Sequence, residues 1–362
     1  MKIIMVIGTR PEAIKMLPLA IELRKHGEFD LKICFSGQHG TLATDVFSYF
    51  KIAPDFVFDA MREGQNLGSL TVRLLNYFDG IFRSESPDIV LVHGDTTTAF
   101  CASLSAFYLG IEIGHVEAGL RTFELNSPFP EEFNRVAIDT VSTYHFAPTF
   151  LSCKNLEGEG RYGAEIVGNT VIDALSYTLD ENYSSSILDQ CFGKKILLVT
   201  THRRENIGAK MRSALTGIRE LLVERDDLAA IMPVHPNPEV KKAVCEVFSD
   251  IKKIKICEPL PLYDFHNILS RAFAVLTDSG GIQEEAAALG VPVFLMRDTT
   301  ERIEGLEGGN VVLVGTDGQR IKSEFLRVTG TPELLKNMQK PTDAFGDGHA
   351  CKKIAKKLLS LL

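Results

Sequence analysis

None of the seven cysteines, at positions 34, 101, 153, 191, 245, 257 and 351, stands at a CxxC or other zinc-binding spacing, and their number is odd. A disulfide framework is not expected; buried free thiols in a reducing cytoplasm are. Long apolar runs are also lacking. The N-terminal IIMVIG is followed at once by Arg10, Glu12 and Lys15, which is too short and wrongly flanked for a signal peptide. No run approaches membrane-spanning length, so no membrane partner is expected. A basic excess is missing: 39 Lys and Arg against 47 Asp and Glu leave a formal charge of -8. That argues against a nucleic-acid surface, but leaves room for a small anion held by local cations. No GxGxxG follows a strand-like run, so no nicotinamide or flavin site is supported, and the absence of GK[ST] excludes a P-loop. No two histidines sit at helical ligand spacing, and the HxD at 93–95 is a weak signal alone. Neither a metal nor a cofactor is expected.

What is present is an alternation. Short β-rich runs (KIIMVIG, LKICF, DIVLVHG, IEIGHVE) are each trailed by a stretch of helical period, the first from about Pro11. The pattern resumes after residue 190 with KKILLVTTH, LAAIMPVH, KIKICEP, AFAVLTDSG, VPVFLM and NVVLVG. Continuous apolar strands between helices predict parallel sheets covered on both faces. With 362 residues there is chain for two cores. The fold class predicted is α/β: two doubly wound, Rossmann-like domains facing across a cleft. The first runs over 1–169 and the second over 170–347, with a serine-rich linker at about 180–193. The final HACKKIAKKLLSLL is an amphipathic helix over 348–362, expected either as a solvated terminal helix or packed back on the first domain.

In such sheets ligands collect at the carboxyl ends of the strands. GTRPEAIK follows the first strand and brings Arg10 and Lys15 to a helix N-terminus, which favours anions. Asp95 ends the run DIVLVHGD, where an Asp is often only a helix cap. It gains weight from Glu117, which ends the neighbouring IEIGHVE. Two crowded, partly desolvated carboxylates can work as acid and base near neutral pH. SPFPEEFNR adds Glu131, four residues from Arg135 on one helix face; alone, that pair reads as a surface ion pair worth little. In the second half, His202 ends a strand beside Arg203 and Arg204, a setting that suits a leaving phosphate. Ser279, Gly280 and Gly281 open a helix directly after a strand, so their N–H groups make a diphosphate cradle. Glu285 lies deeper in that helix, toward sugar hydroxyls, and Arg302 is a further phosphate cation. The pattern describes a nucleotide diphosphate on the second domain, its sugar turned to the carboxylates of the first.

The ordered motifs VIGTRPEAIKMLPL, LVHGDTTTAF, GHVEAGLRT, SPFPEEFNR, GNTVIDAL, THRREN, DSGGIQEEA and RDTTER resemble those of the non-hydrolysing UDP-N-acetylglucosamine 2-epimerases over nearly the whole chain. The resemblance implies a GT-B-like fold, a homodimer, and a C-terminal helix that crosses back to the first domain. It implies reversible conversion of UDP-GlcNAc to UDP-ManNAc by elimination of UDP, through 2-acetamidoglucal, and re-addition. By that resemblance Asp95, Glu117 and Glu131 are the acid/base set, assisted by Arg135 and His202. Arg10, Lys15, Ser279, Gly280, Gly281, Glu285 and Arg302 hold UDP, and Phe265 meets uracil. Two rivals share the nucleotide-sugar site. A hydrolysing epimerase would release ManNAc and UDP, but that branch typically carries Arg where Thr96 stands. A GT-B glycosyltransferase would not need three carboxylates around the sugar. A non-enzymatic sensor is a third reading. Gln38 and His39 match a segment that binds a second UDP-GlcNAc as activator in many relatives, but Gly40 and Thr41 replace its usual polar residues, and Ile303 stands where Pro is common. Activation by substrate is therefore not expected.

Overall fold

Thirteen strands in two parallel sheets organise the described part of the chain. The structure, a computed structural model, describes residues 1–38, 43–62, 64–201, 203 and 206–362. The first sheet contains β1 (Lys2–Ile7), β2 (Asp30–Phe35), β3 (Phe56–Val57), β4 (Ile89–His93), β5 (Glu112–Val116), β6 (Tyr144–Ala147) and β7 (Glu165–Ile166), in the order 3-2-1-4-5-6-7. The second contains β8 (Lys195–Thr200), β9 (Leu228–Pro233), β10 (Ile254–Cys257), β11 (Ala274–Thr277), β12 (Val293–Leu295) and β13 (Val311–Leu313), in the order 10-9-8-11-12-13. Every pairing is parallel.

The reason lies in the strands' composition. All five residues of β4 are buried, and so are all four of β11. A strand with two apolar faces needs a helix on each, and only crossover connections between parallel strands supply them. Both sheets reverse direction beside their first strand, between β1 and β4 and between β8 and β11. At such a switch point two loops diverge and leave a crevice at the carboxyl ends. Thr9 and Asp95 follow the two strands of the first switch point, and Thr201 and Asp278 those of the second.

The chain divides into one unit of Met1–Tyr177 with Gly346–Leu362 and another of Thr178–Phe345. The segment at 180–193, expected as a linker, belongs to the second unit. Tyr183 donates to Asp264 at 2.7 Å, Tyr263 donates to Asp180 at 2.5 Å, and Ile187 and Leu188 pack on the core around Leu198 and Ile231. Its serines concealed these anchors. The C-terminal helix Ala350–Leu359 lies in the first unit, where the Asp173 carboxylate accepts from the N–H groups of Ala350 and Cys351 at 3.1 and 2.9 Å. That carboxylate satisfies donors that the helix start leaves unpaired.

Candidate active site

In the first unit, β1 delivers Thr9, which caps the helix Arg10–Leu23 with Pro11 in its first turn. Glu12 bends back to accept from Gly8 N at 3.0 Å and from Thr96 Oγ1 at 2.8 Å, tying the loop after β1 to the loop after β4. Burial pushes the Glu12 carboxyl up to about 7 against the pull of these hydrogen bonds. Lys15, one turn further along, forms an ion pair with Glu117 at the end of β5; their side chains are only 7% and 8% exposed. The Glu117 carboxylate also accepts from Asn169 Nδ2 at 2.6 Å, and His93 Nε2 lies 3.6 Å away. Glu117 itself has φ of 67°, in the left-handed region that non-glycine residues rarely occupy. Such a backbone persists only where its surroundings impose it, and it clusters at functional sites.

Asp95 follows β4 after Gly94. Its carboxylate meets Arg135 Nη2 at 2.5 Å, and its carbonyl accepts from Asn134 Nδ2 at 2.8 Å. Both partners come from the helix Glu131–Val141. Arg135, four residues from Glu131, reaches Asp95 and also Glu132, 3.4 Å away. Glu132 accepts from the N–H groups of Thr122 and Phe123 at 3.0 and 2.9 Å and so holds the loop that leads to the helix. Glu131 stands half-buried at the first helical position. Arg10 pairs with Asp45 at 3.2 Å.

The second unit repeats the plan. Asp278, after β11, accepts on Oδ2 from Thr201 Oγ1, Arg203 N and Asn206 Nδ2 at 2.9, 3.1 and 3.2 Å, which locks the loop after β8 to the SGG turn. Ser279 precedes the helix Gly280–Leu289 without capping it by its side chain. A Cβ on Gly281 would meet nothing within 4 Å, whereas one on Gly280 would lie 2.6 Å from Arg302 Nη1. Gly281 thus borders open space, and Gly280 makes room for an arginine. Arg302, predicted as a phosphate cation, is buried and directs Nε to Glu284 at 2.6 Å and Nη1 to Glu301. Glu301 also meets Arg297 at 3.0 Å; burial opposes its charge, but Arg302, Arg297 and Arg203 hold its carboxyl down at about 2. Arg302 therefore packs against Gly280 at the start of the helix. Glu285 is buried beside His266, 3.7 Å away, with Oε2 lacking a hydrogen-bond partner among the described residues. Phe265 lies half-buried on the helix Leu262–Ser270.

His202, Arg204 and residues 39–42 lie outside the described residues. Among those described, no cluster of three or more His, Cys, Asp or Glu could hold a metal ion, and no helix is long and apolar enough to cross a membrane. Sequence reasoning gave no role to Glu12, His93 or Asn169. Asn169 had a signal, a polar residue between a strand end and a helix; Glu12 had another, the capping pattern TRPE.

The arrangement offers two carboxylates, Asp95 and Glu117, on adjacent strand ends, each ion-paired to a buried cation, and in the other unit a helix start with open space before it. The family described as UDP-N-acetylglucosamine 2-epimerase matches residues 21–359. The UDP-N-acetylglucosamine 2-epimerase of Bacillus subtilis is 45% identical over 99% of this chain and 95% of its own length. The structure of a protein described as a putative UDP-N-acetylglucosamine 2-epimerase from Listeria monocytogenes superposes with a TM-score of 0.96 at 41% identity, covering 100% of this chain and 96% of that one. The Neisseria meningitidis UDP-GlcNAc 2-epimerase, solved bound to UDP-GlcNAc, gives a TM-score of 0.95 at 40% identity over 99% and 100%. With a match across nearly its whole length, the chain belongs to the UDP-N-acetylglucosamine 2-epimerase family and is an epimerase.

Proposed function

We propose that this protein interconverts UDP-GlcNAc and UDP-ManNAc without hydrolysis, by elimination and re-addition of UDP. A base removes the proton at sugar carbon 2 while the bond from carbon 1 to the diphosphate oxygen breaks, giving 2-acetamidoglucal and UDP. UDP then adds back to carbon 1 as carbon 2 is protonated on its other face. The carbon acid is weak, so the step needs a positioned base and a stabilised leaving group.

The observation that carries this reading is the pair of anchored carboxylates. Asp95 on Arg135 and Glu117 on Lys15 are fixed at neighbouring strand ends, β4 and β5, beside the switch point of the first sheet. Glu131 completes the acid/base set, and His202 assists the leaving diphosphate. The second unit supplies the N–H groups of the Ser279–Gly281 turn for that diphosphate, Phe265 for the base and Glu285 for hydroxyls. The unpartnered Oε2 of Glu285 supports the last role, because a buried carboxylate oxygen without a donor gains most from a ligand hydroxyl. Lys15 and Arg10 are cations of the same site, Lys15 acting through Glu117.

Proton and phosphorus NMR of the protein incubated with UDP-GlcNAc tests the reading. Appearance of UDP-ManNAc with the diphosphate ester intact is expected. Free ManNAc accumulating in step with UDP would make it a hydrolysing enzyme, and an unchanged spectrum would remove the assignment.

A further inference from the structure

Behind the acid/base groups lies a largely buried polar network that anchors them. His115, in the interior of β5, directs Nε2 to the carbonyl of Gly94 at 2.7 Å and Nδ1 to Asp139 Oδ1 at 2.6 Å. Both side chains are 0% exposed. A carbonyl can only accept, so Nε2 donates to Gly94. The second oxygen of Asp139 accepts from Gly119 N at 3.2 Å and pairs with Arg121 at 2.8 Å, and Arg121 forks onto Glu159 at 2.6 and 2.8 Å. Burial opposes the charge on Asp139, but His115 and Arg121 hold its carboxyl down at about 2, so it stays an acceptor.

The three segments joined here carry the proposed chemistry. Gly94 precedes Asp95. His115 lies two residues before Glu117. Asp139 shares a helix with Glu131 and Arg135, one turn beyond Arg135. Gly94 has φ of 64°, a conformation open to glycine at little cost, so the turn needs outside contacts to fix it. It receives three: Gly94 N donates to Val116 O at 3.0 Å, His115 donates to Gly94 O, and Asn134 donates to Asp95 O at 2.8 Å. Two of the three come from side chains that do not themselves belong to the acid/base set.

We propose that His115 and Asn134 are positioning residues that fix the Asp95 turn against the helix bearing Glu131 and Arg135, so that their loss lowers turnover and spares nucleotide affinity. The proposal rests on the epimerisation reading above. A shift of about 1 Å in a reacting group can cost about 100-fold in rate. The ties to Gly94 and Asp95 hold the turn that bears the acid/base group. The diphosphate turn at Ser279–Gly281 is held by a separate network around Asp278 and Arg302.

The wild-type protein is assayed first with UDP-GlcNAc; if it produces no UDP-ManNAc, the functional reading fails and the variants are not needed to show it. With an active wild type, His115→Asn, which keeps a donor toward Asp139 but not toward Gly94, is expected to lower kcat about 100-fold. Its KM and its Kd for UDP should stay within about threefold of wild type, a split that general loosening of the core would not give. His115→Gln, which can still reach the Gly94 carbonyl, is expected to recover about tenfold of that loss at a similar melting temperature. Near-wild-type kcat in folded His115→Asn overturns the proposal. So does a loss of activity that follows melting temperature in both variants, with Gln no better than Asn. If neither His115 variant folds, Asn134→Ala cuts the other tie: kcat about tenfold lower at unchanged KM supports the proposal, and wild-type kcat overturns it.

Discussion

Replacing Gly281 by alanine adds one methyl group at the second residue of the helix Gly280–Leu289, where a Cβ meets no protein atom within 4 Å. For the free protein the change should be mildly favourable. Alanine loses less backbone freedom on folding than glycine, which is worth roughly 0.4–1 kcal/mol where the conformation suits it. In a unit of this size that corresponds to a rise in melting temperature of about 1–4 °C. For the ligand the change should be unfavourable. If the diphosphate lies against the N–H groups of this turn, the methyl group occupies its approach. A lost hydrogen bond to a charged group costs roughly 1.5–3 kcal/mol, or about 10- to 150-fold in Kd. Stability and affinity should therefore move in opposite directions, and Gly281→Val should extend the loss of affinity. Gly280→Ala is the contrasting variant. Its Cβ would lie 2.6 Å from Arg302 Nη1, so it must displace an arginine that pairs with Glu301 and Glu284, and it should lower the melting temperature. Scanning calorimetry without ligand and titration calorimetry with UDP read the two effects. Unchanged UDP affinity in Gly281→Ala would show that the SGG turn serves only the fold, and the diphosphate assignment would be withdrawn.

Three further outcomes are expected. Asp95→Asn and Glu131→Gln should each lower kcat by about two to four orders of magnitude while leaving UDP affinity near wild type; a folded variant with normal turnover would remove that residue from the acid/base set. Glu12, whose carboxyl is raised from 4.5 to about 7 by burial, contributes stability that is fully present below pH 4.5 and lost as pH rises through 7, on the order of 3 kcal/mol. Urea unfolding at pH 5 and pH 8 should show this drop in wild type and not in Glu12→Gln, and equal pH dependence in the two proteins would exclude Glu12 as its source. Conversion of UDP-ManNAc scrupulously freed of UDP-GlcNAc should start without a lag, since Gly40 and Thr41 lack the polar reach expected of an activator site; a lag abolished by a trace of UDP-GlcNAc would contradict that expectation.

The parallel sheets were legible because β1, β4 and most strands of the second sheet are largely apolar runs, each followed by a stretch of helical period. The strands that escaped notice are β3, β6 and β7. β3 and β7 are two residues long at the sheet's edges, too short for any period, and β6 reads YHFA, with a histidine in its middle. The strand-end placement of Asp95, Glu117, Ser279 and Gly281 was legible because each follows closely on an apolar run. Which cation meets which carboxylate was not. Lys15 reaches Glu117 across 102 residues and Arg135 reaches Asp95 across 40, distances over which spacing along the chain carries no information. Arg302 shows the same limit: its ion pairs with Glu284 and Glu301 are visible only in the folded neighbourhood.

The central claim is that the hydrogen at sugar carbon 2 is removed and replaced. The most direct measurement is incubation of UDP-GlcNAc with the protein in heavy water, taken to equilibrium, with the recovered UDP-GlcNAc and UDP-ManNAc examined by proton NMR and mass spectrometry. The elimination account predicts deuterium at carbon 2 in both sugars, because the proton lost to a carboxylate exchanges with solvent before re-addition. Epimerisation with the original hydrogen fully retained at carbon 2 would contradict it.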